Sequence, residues 1–307
     1  MIWLIGASII WGLSFGLIKG LTSGVDPFTL GLYRSMVATL AFAPWFRWQV
    51  SPTRQSEQNH QQTQSARHRG FQQDLIWAFI CGFVQIGLMY GPYLKSFQYL
   101  KSYEVALFTM TTPLMTGLLL KPAERPNGIR LLGALFLATA GGIIGAWHDI
   151  TSDHWVIGVL LVQASNILFA FGSLLWARRF SGIAHAPGRD QARLMSPYFL
   201  GASTASGCLA VIFSSPFEGL SQAQMLVIVW LGVVASGVGF FMWNRGVATV
   251  QATTLAVANN LKIPIAIIIS LTVFGESANV LTLAAGLALI FLALQIANGK
   301  PKTRSHR

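Results

Sequence analysis

The chain has 307 residues, of which 53% are hydrophobic and only 10% charged, and its formal net charge is +11. So apolar a composition leaves little from which to build soluble domains. The cations could still suggest nucleic-acid binding, but they form no basic stripe interleaved with aromatics on a soluble surface, so that class is set aside.

Ten apolar runs of about 16–22 residues follow one another, close to the ~20 that a helix needs to cross a hydrocarbon core. The first, 2–21, holds Trp11 and Lys19. It lacks a basic leading region and a small-residue cleavage site, so it is expected to be retained as a helix. The second, 28–46, follows Pro27 and holds Tyr33 and Arg34. Residues 49–74 are polar and nearly free of apolar side chains, and a disordered cytoplasmic linker is expected there. The third run, 75–94, carries Gln85 and Tyr90, and the fourth, 105–120, carries Thr109, Thr111, Thr112 and Pro113. The fifth spans 129–147 and the sixth 155–176, with Gln163 and Asn166. After a polar loop at 181–193, the seventh covers 198–217 and the eighth 225–243, with Asn244 and Arg245 at its end. The ninth, 253–274, holds Asn259, Asn260, Lys262 and Pro264, the tenth covers 280–297, and a basic tail, 299–307, closes the chain. Lipid offers no partners to backbone N–H and C=O groups, so each run is expected to cross as a helix. The fold class is therefore all-α, a polytopic membrane protein with ten transmembrane helices.

The cations settle orientation. With the N-terminus inside, fifteen of the 21 Lys and Arg fall in cytoplasmic segments and Lys101 alone in an outer one, the other five lying within or at the ends of spans. This positive-inside bias puts both termini in the cytoplasm, and the expected location is a bacterial inner membrane. Cys81 and Cys208 both lie within apolar runs and are read as small apolar residues.

A repeat is visible in the spacing. Gly6 and Gly158 open the first helix of each half, Pro113 and Pro264 lie near the middle of the fourth, and Glu124 and Glu276 follow it. The halves are taken as 1–147 and 155–298. Five spans per half is an odd number, so the second half enters the membrane upside down. Such inverted repeats are typical of alternating-access carriers, with the substrate near midplane where the halves meet.

These residues also carry a family resemblance. Trp11, Gly12, Ser14 and Phe15 with Lys19 resemble the first-helix signature of the drug/metabolite transporter superfamily, EamA type. Pro27 followed by Tyr33 and Arg34, the stretch from Leu94 through Ala106 to Pro113, and Pro264 with Gly275 and Glu276 match its later landmarks. The resemblance covers essentially the whole chain and implies a ten-helix permease, with efflux of an amino acid or related carboxylate. The first half departs from the pattern at 121–124, and Lys262 is not part of it.

Buried polar residues mark the candidate site. A lysine at mid-bilayer costs about 3 kcal/mol on insertion scales, so Lys262 should face a cavity or a partner. Pro264 offers no N–H to the Asn260 carbonyl, which loosens the backbone beside the amine. Arg34 is read as either structural or substrate-binding. Asn259, Asn260, Thr112, Trp11, Tyr33 and Asn244 complete the proposed substrate-binding set, with Pro113 and Pro264 as hinges. No Asp or Glu lies well inside a span, so the cavity should be electropositive and favour an anionic or zwitterionic metabolite. The alternative is an organophosphate or nucleotide-sugar exchanger. The histidines fall in loops or tails, and no phosphate loop, nucleophile motif or metal-ligand spacing occurs, so neither an enzyme nor a cofactor is expected. The expected partners are a small-molecule substrate and membrane lipids, with a homodimer left open.

Overall fold

The computed structural model describes residues 2–47, 72–120, 128–147, 154–181, 188–214, 219–247, 249 and 259–298. The linker from 49 to 71 and the tail from 299 lie outside the described residues. Every regular element among those described is a helix: α1 (Ile2–Thr22), α2 (Pro27–Arg47), α3 (Gln72–Ser96), α4 (Ser102–Thr109), α5 (Thr112–Leu119), α6 (Gly128–Ala146), α7 (Trp155–Phe180), α8 (Gly188–Phe213), α9 (Gln222–Val247), α10 (Lys262–Thr272) and α11 (Val280–Asn298). α4 and α5 are two pieces of one span, so the eleven helices make ten crossings. Around the outside, large apolar side chains such as Leu40, Phe136, Val211 and Leu281 are exposed, as a lipid-facing surface requires.

Side-chain caps set several helix starts. The Asp26 carboxylate accepts from the Phe28 and Thr29 N–H groups at 3.0 Å each, with Pro27 opening α2. Ser221 and Gln224 form a capping box on α9. Gly275, at φ +64°, makes the turn from α10 towards α11 in the left-handed region that a side chain would strain.

Three expected boundaries are corrected. The fourth span is not continuous, because the chain breaks at Met110 and Thr111 before Pro113 enters the first turn of α5. Proline is tolerated in a first turn, where no N–H is needed, so the helix restarts there. The ninth span is not continuous either: Asn259 and Asn260 are helical, the chain turns at Leu261, and Lys262 opens α10 with Pro264 again in the first turn. The polar stretches expected as loops are partly helical, since α3 starts at Gln72, α7 runs on to Phe180 and α8 starts at Gly188. At that end Arg179 pairs with Asp74.

Helix pairing exchanges the two sets of five spans. α2 packs along α8 and α6 along α11, each the counterpart of the other by sequence order, while α1 packs on α10 and α9 as α7 packs on α4, α5 and α3. Thr29–Ser214, Ser35–Ser206 and Thr39–Ser203 join α2 to α8 and the residue that follows it at 2.9, 3.4 and 2.9 Å, an antiparallel row of hydroxyl contacts. Gly286 of α11 lies so near α6 that an added Cβ would stand 2.7 Å from the Gly145 Cα. Small residues that allow backbone approach are a recurring basis of helix association in lipid. α3 and α9, the third helix of each set, both contain a π-helical stretch, Phe83–Leu88 and Leu231–Val238.

Candidate functional site

At the break in the fourth span the Phe108 carbonyl keeps only a long 3.4 Å backbone bond from the Thr111 N–H, and nearby side chains complete the bonding there. Asn166 Nδ2 donates to the Phe108 carbonyl at 3.0 Å, and Thr111 Oγ1 to the same oxygen at 2.9 Å. Thr112 Oγ1 lies 2.6 Å from the Thr109 carbonyl and 3.0 Å from Asn166 Oδ1. Asn166 of α7 thus brackets the broken span from the opposite set of helices. Beside this bracket opens a cavity between α1, α2, α3, α4, α5, α7, α9 and α10.

Two cations line it. Arg34 of α2 is only 2% exposed. Its guanidinium lies 4.5 Å above the Tyr90 ring, and Nη2 donates to the Tyr90 hydroxyl at 3.0 Å. That hydroxyl is in turn 2.8 Å from Ser236 Oγ, in the π-helical stretch of α9. Nε and Nη1 of Arg34 are buried with no hydrogen-bond partner. Lys262 is 7% exposed, and Nζ donates to Asn259 Oδ1 at 3.1 Å. The amine lies 5.4 Å from the Trp11 ring and 5.6 Å from that of Phe169, within cation–π range. Among the described residues, no acidic side chain lines the cavity.

The rest of the lining is aromatic and hydroxylic. Trp11 is fixed by its Nε1 donating to the Ala235 carbonyl at 2.9 Å, and it packs against Phe169 and Phe240. Phe15, Met89 and Tyr93 continue the apolar wall, and Ser14, Thr109, Thr112 and Ser165 supply hydroxyls.

Glu276 and Glu104 lie together at one end of the bundle, around the start of α4. Glu276 accepts from Ser102 N and Oγ at 3.0 and 2.7 Å, from Tyr103 N at 3.3 Å, and from Ser270 Oγ, so it caps α4 from the turn after α10. Glu104 accepts from the Lys101 N–H at 2.7 Å and from Trp155 Nε1 at 3.3 Å. Lys19 donates to the Phe97 and Leu100 carbonyls at 2.6 and 2.9 Å, closing the end of α3.

Of the residues singled out from sequence, Lys262, Arg34, Thr112 and Trp11 come together in the cavity. Asn259 stands behind them, holding Lys262. Tyr33, Asn244 and Asn260 do not line the cavity. Successive residues on a helix point about 100° apart, so turning Arg34 inward turns Tyr33 towards its half-buried packing position. Asn244 is fully buried, and its backbone carbonyl accepts from Trp176 Nε1 at 3.1 Å. Asn260 Nδ2 is buried without a partner. Sequence reasoning missed Phe169, Phe240, Met89 and Tyr93, because an apolar side chain inside an apolar run carries no mark of the face it occupies.

Comparison with known proteins bears on this cavity. A model of the EamA-like transporter family matches residues 1–141. A probable biotin transporter of Pseudomonas aeruginosa is 30% identical over 300 residues, 96% of either chain. The biotin transporter of Escherichia coli K12 is 30% identical over 296 residues, 94% of this chain and 90% of that one. One solved crystal structure superimposes with a TM-score of 0.63 at 20% identity, covering 96% of both chains, a likeness of fold alone. With full-length relatives and an all-helical, lipid-faced bundle, the chain belongs to the EamA-like transporter family and is a multi-pass membrane transporter for a small metabolite.

Proposed function

We propose that the protein carries a small carboxylate of the biotin type by alternating access, with the carboxylate held by Arg34 and Lys262. One observation supports this above the rest: Arg34 is 2% exposed, with two nitrogens lacking any partner among the described residues, in a cavity where those residues also place Lys262 and no acid. Buried cationic donors left without partners are costly, and an entering anion satisfies them. The relatives named as biotin transporters agree with a substrate that has a carboxylate and an apolar body. A free amino acid fits less well, since its ammonium would stand beside two cations with no counter-charge. Efflux is the direction the family resemblance implies, and in a carrier net flux follows the gradients.

Counterflow in proteoliposomes tests the reading. Labelled biotin should accumulate against preloaded unlabelled biotin, and biotin methyl ester, which lacks the charge, should not compete. Competition by the ester equal to that of the acid overturns the carboxylate assignment. Inhibition by phosphate esters without inhibition by carboxylates would transfer the site to an organophosphate exchanger.

A further inference from the structure

Resting on the carboxylate reading, we infer that the same cavity has a second, uncharged subsite that reads N–H donors on the substrate, through the hydroxyl oxygens of Ser14, Thr109, Thr112 and Ser165. Every one of these lining hydroxyls has its own carbonyl to donate to. Ser14 Oγ donates to the Trp11 carbonyl at 2.7 Å, Thr109 Oγ1 to Ala106 at 2.7 Å, Thr112 Oγ1 to Thr109 at 2.6 Å and Ser165 Oγ to Val162 at 2.7 Å. A hydroxyl has one hydrogen and two lone pairs, so a group that has committed its hydrogen offers a ligand an acceptor only. All four residues line the cavity and are at most 4% exposed.

The cavity is thus divided by hydrogen-bonding sense. Arg34 and Lys262 can only donate, and they suit a carboxylate. The committed hydroxyls accept, and they suit a neutral N–H such as that of a cyclic urea, lactam or amide. An ammonium would also find acceptors here, but beside two cations it has no compensating charge. The ligand class is therefore a monocarboxylate whose far end carries uncharged N–H groups, with the aromatic wall covering the apolar middle. A site built to bond a substrate N–H discriminates strongly against an analogue lacking it, because the loss is not repaid by water.

Three probes separate the parts. Biotin and desthiobiotin carry both the carboxylate and the ureido N–H groups, whereas lipoate has the same carboxylate chain and a sulfur ring with no N–H. Calorimetry on the purified protein should give biotin and desthiobiotin at least tenfold tighter binding than lipoate. The double variant Ser14→Ala, Ser165→Ala should narrow that ratio by weakening biotin and leaving lipoate unchanged, which a misfolded protein cannot imitate. Equal affinity for biotin and lipoate overturns the N–H subsite and leaves the carboxylate reading standing. A preserved ratio in the double variant overturns the assignment of those hydroxyls. Binding of none of the three removes the carboxylate reading and this inference with it.

Discussion

Arg34 and Lys262 face one cavity but are held differently, and the difference predicts different phenotypes. Lys262 is tied by one bond to Asn259 and rests over Trp11 and Phe169. Lys262→Met keeps the length and apolar stem and removes the charge. It should leave folding near normal and weaken carboxylate binding by about 10- to 100-fold, the equivalent of roughly 1.5–3 kcal/mol for a hydrogen bond to a charged group. Unchanged transport by Lys262→Met would show that the amine is not an anion ligand. Arg34 is clamped on the face of Tyr90 and aimed by its hydroxyl. Arg34→Lys retains charge but loses the planar donor set, so it should lose most transport, while Tyr90→Phe, which only releases the aim, should lose less. Uptake kinetics at matched protein levels compare the two, and the reverse order would argue that the Tyr90 hydroxyl itself contacts the substrate.

At the level of helices, two kinds of contact carry the packing. The α6–α11 contact rests on backbone proximity, so Gly286→Ala drives a methyl group into the Gly141 and Gly145 backbone. Overpacking of this kind costs about 1–3 kcal/mol. A lower Tm in detergent is expected, whereas Gly133→Ala, with nothing within 4 Å of its added Cβ, should be neutral or slightly stabilising. The α4 start is held from outside its own segment by Glu276. Glu276→Ala orphans N–H groups at that start and should cost about 1–2 kcal/mol, as loss of a cap does. Ser102→Ala removes two contacts of the same cluster, to Glu276 and to Ser270, so the double variant should destabilise less than the sum of the singles. Strict additivity would show that the two residues are not energetically joined.

For the whole molecule, the paired arrangement of helices and the interrupted fourth span support a rocking carrier. Breaks where Pro113 and Pro264 enter new helices give the chain places to bend beside the cavity. Spin labels at the exposed Gln98 and Ser277, and separately at Leu119 and the exposed Thr249, should report opposite distance changes when substrate is added. Widening at both ends together would indicate a channel. Orientation in the membrane has its own test. Cysteines placed at Ser56 and Ser305 should resist impermeant reagents in intact cells, and one at Ser152 should react. Labelling of the first two from outside would invert the topology expected from the cation bias.

The sequence by itself determined that this chain lives in lipid, how many times it crosses, and that the charges deep within its spans are cations. Those properties follow from length, apolarity and charge summed along a run, and each span contributes them independently of its neighbours. It also required a cavity or a partner for Lys262, because the cost of a charge in hydrocarbon is local. Only the tertiary structure decided which way each helix turns. That rotation put Arg34 inside and Tyr33 aside, brought Phe169 and Phe240 against Trp11, and placed Asn166 where it brackets a break in another span. In helices apolar on all sides, no amphipathic stripe records the inward face. The facing is set by packing between helices distant in sequence, through close glycine contacts, hydroxyl pairs and side-chain bonds to carbonyls at the break.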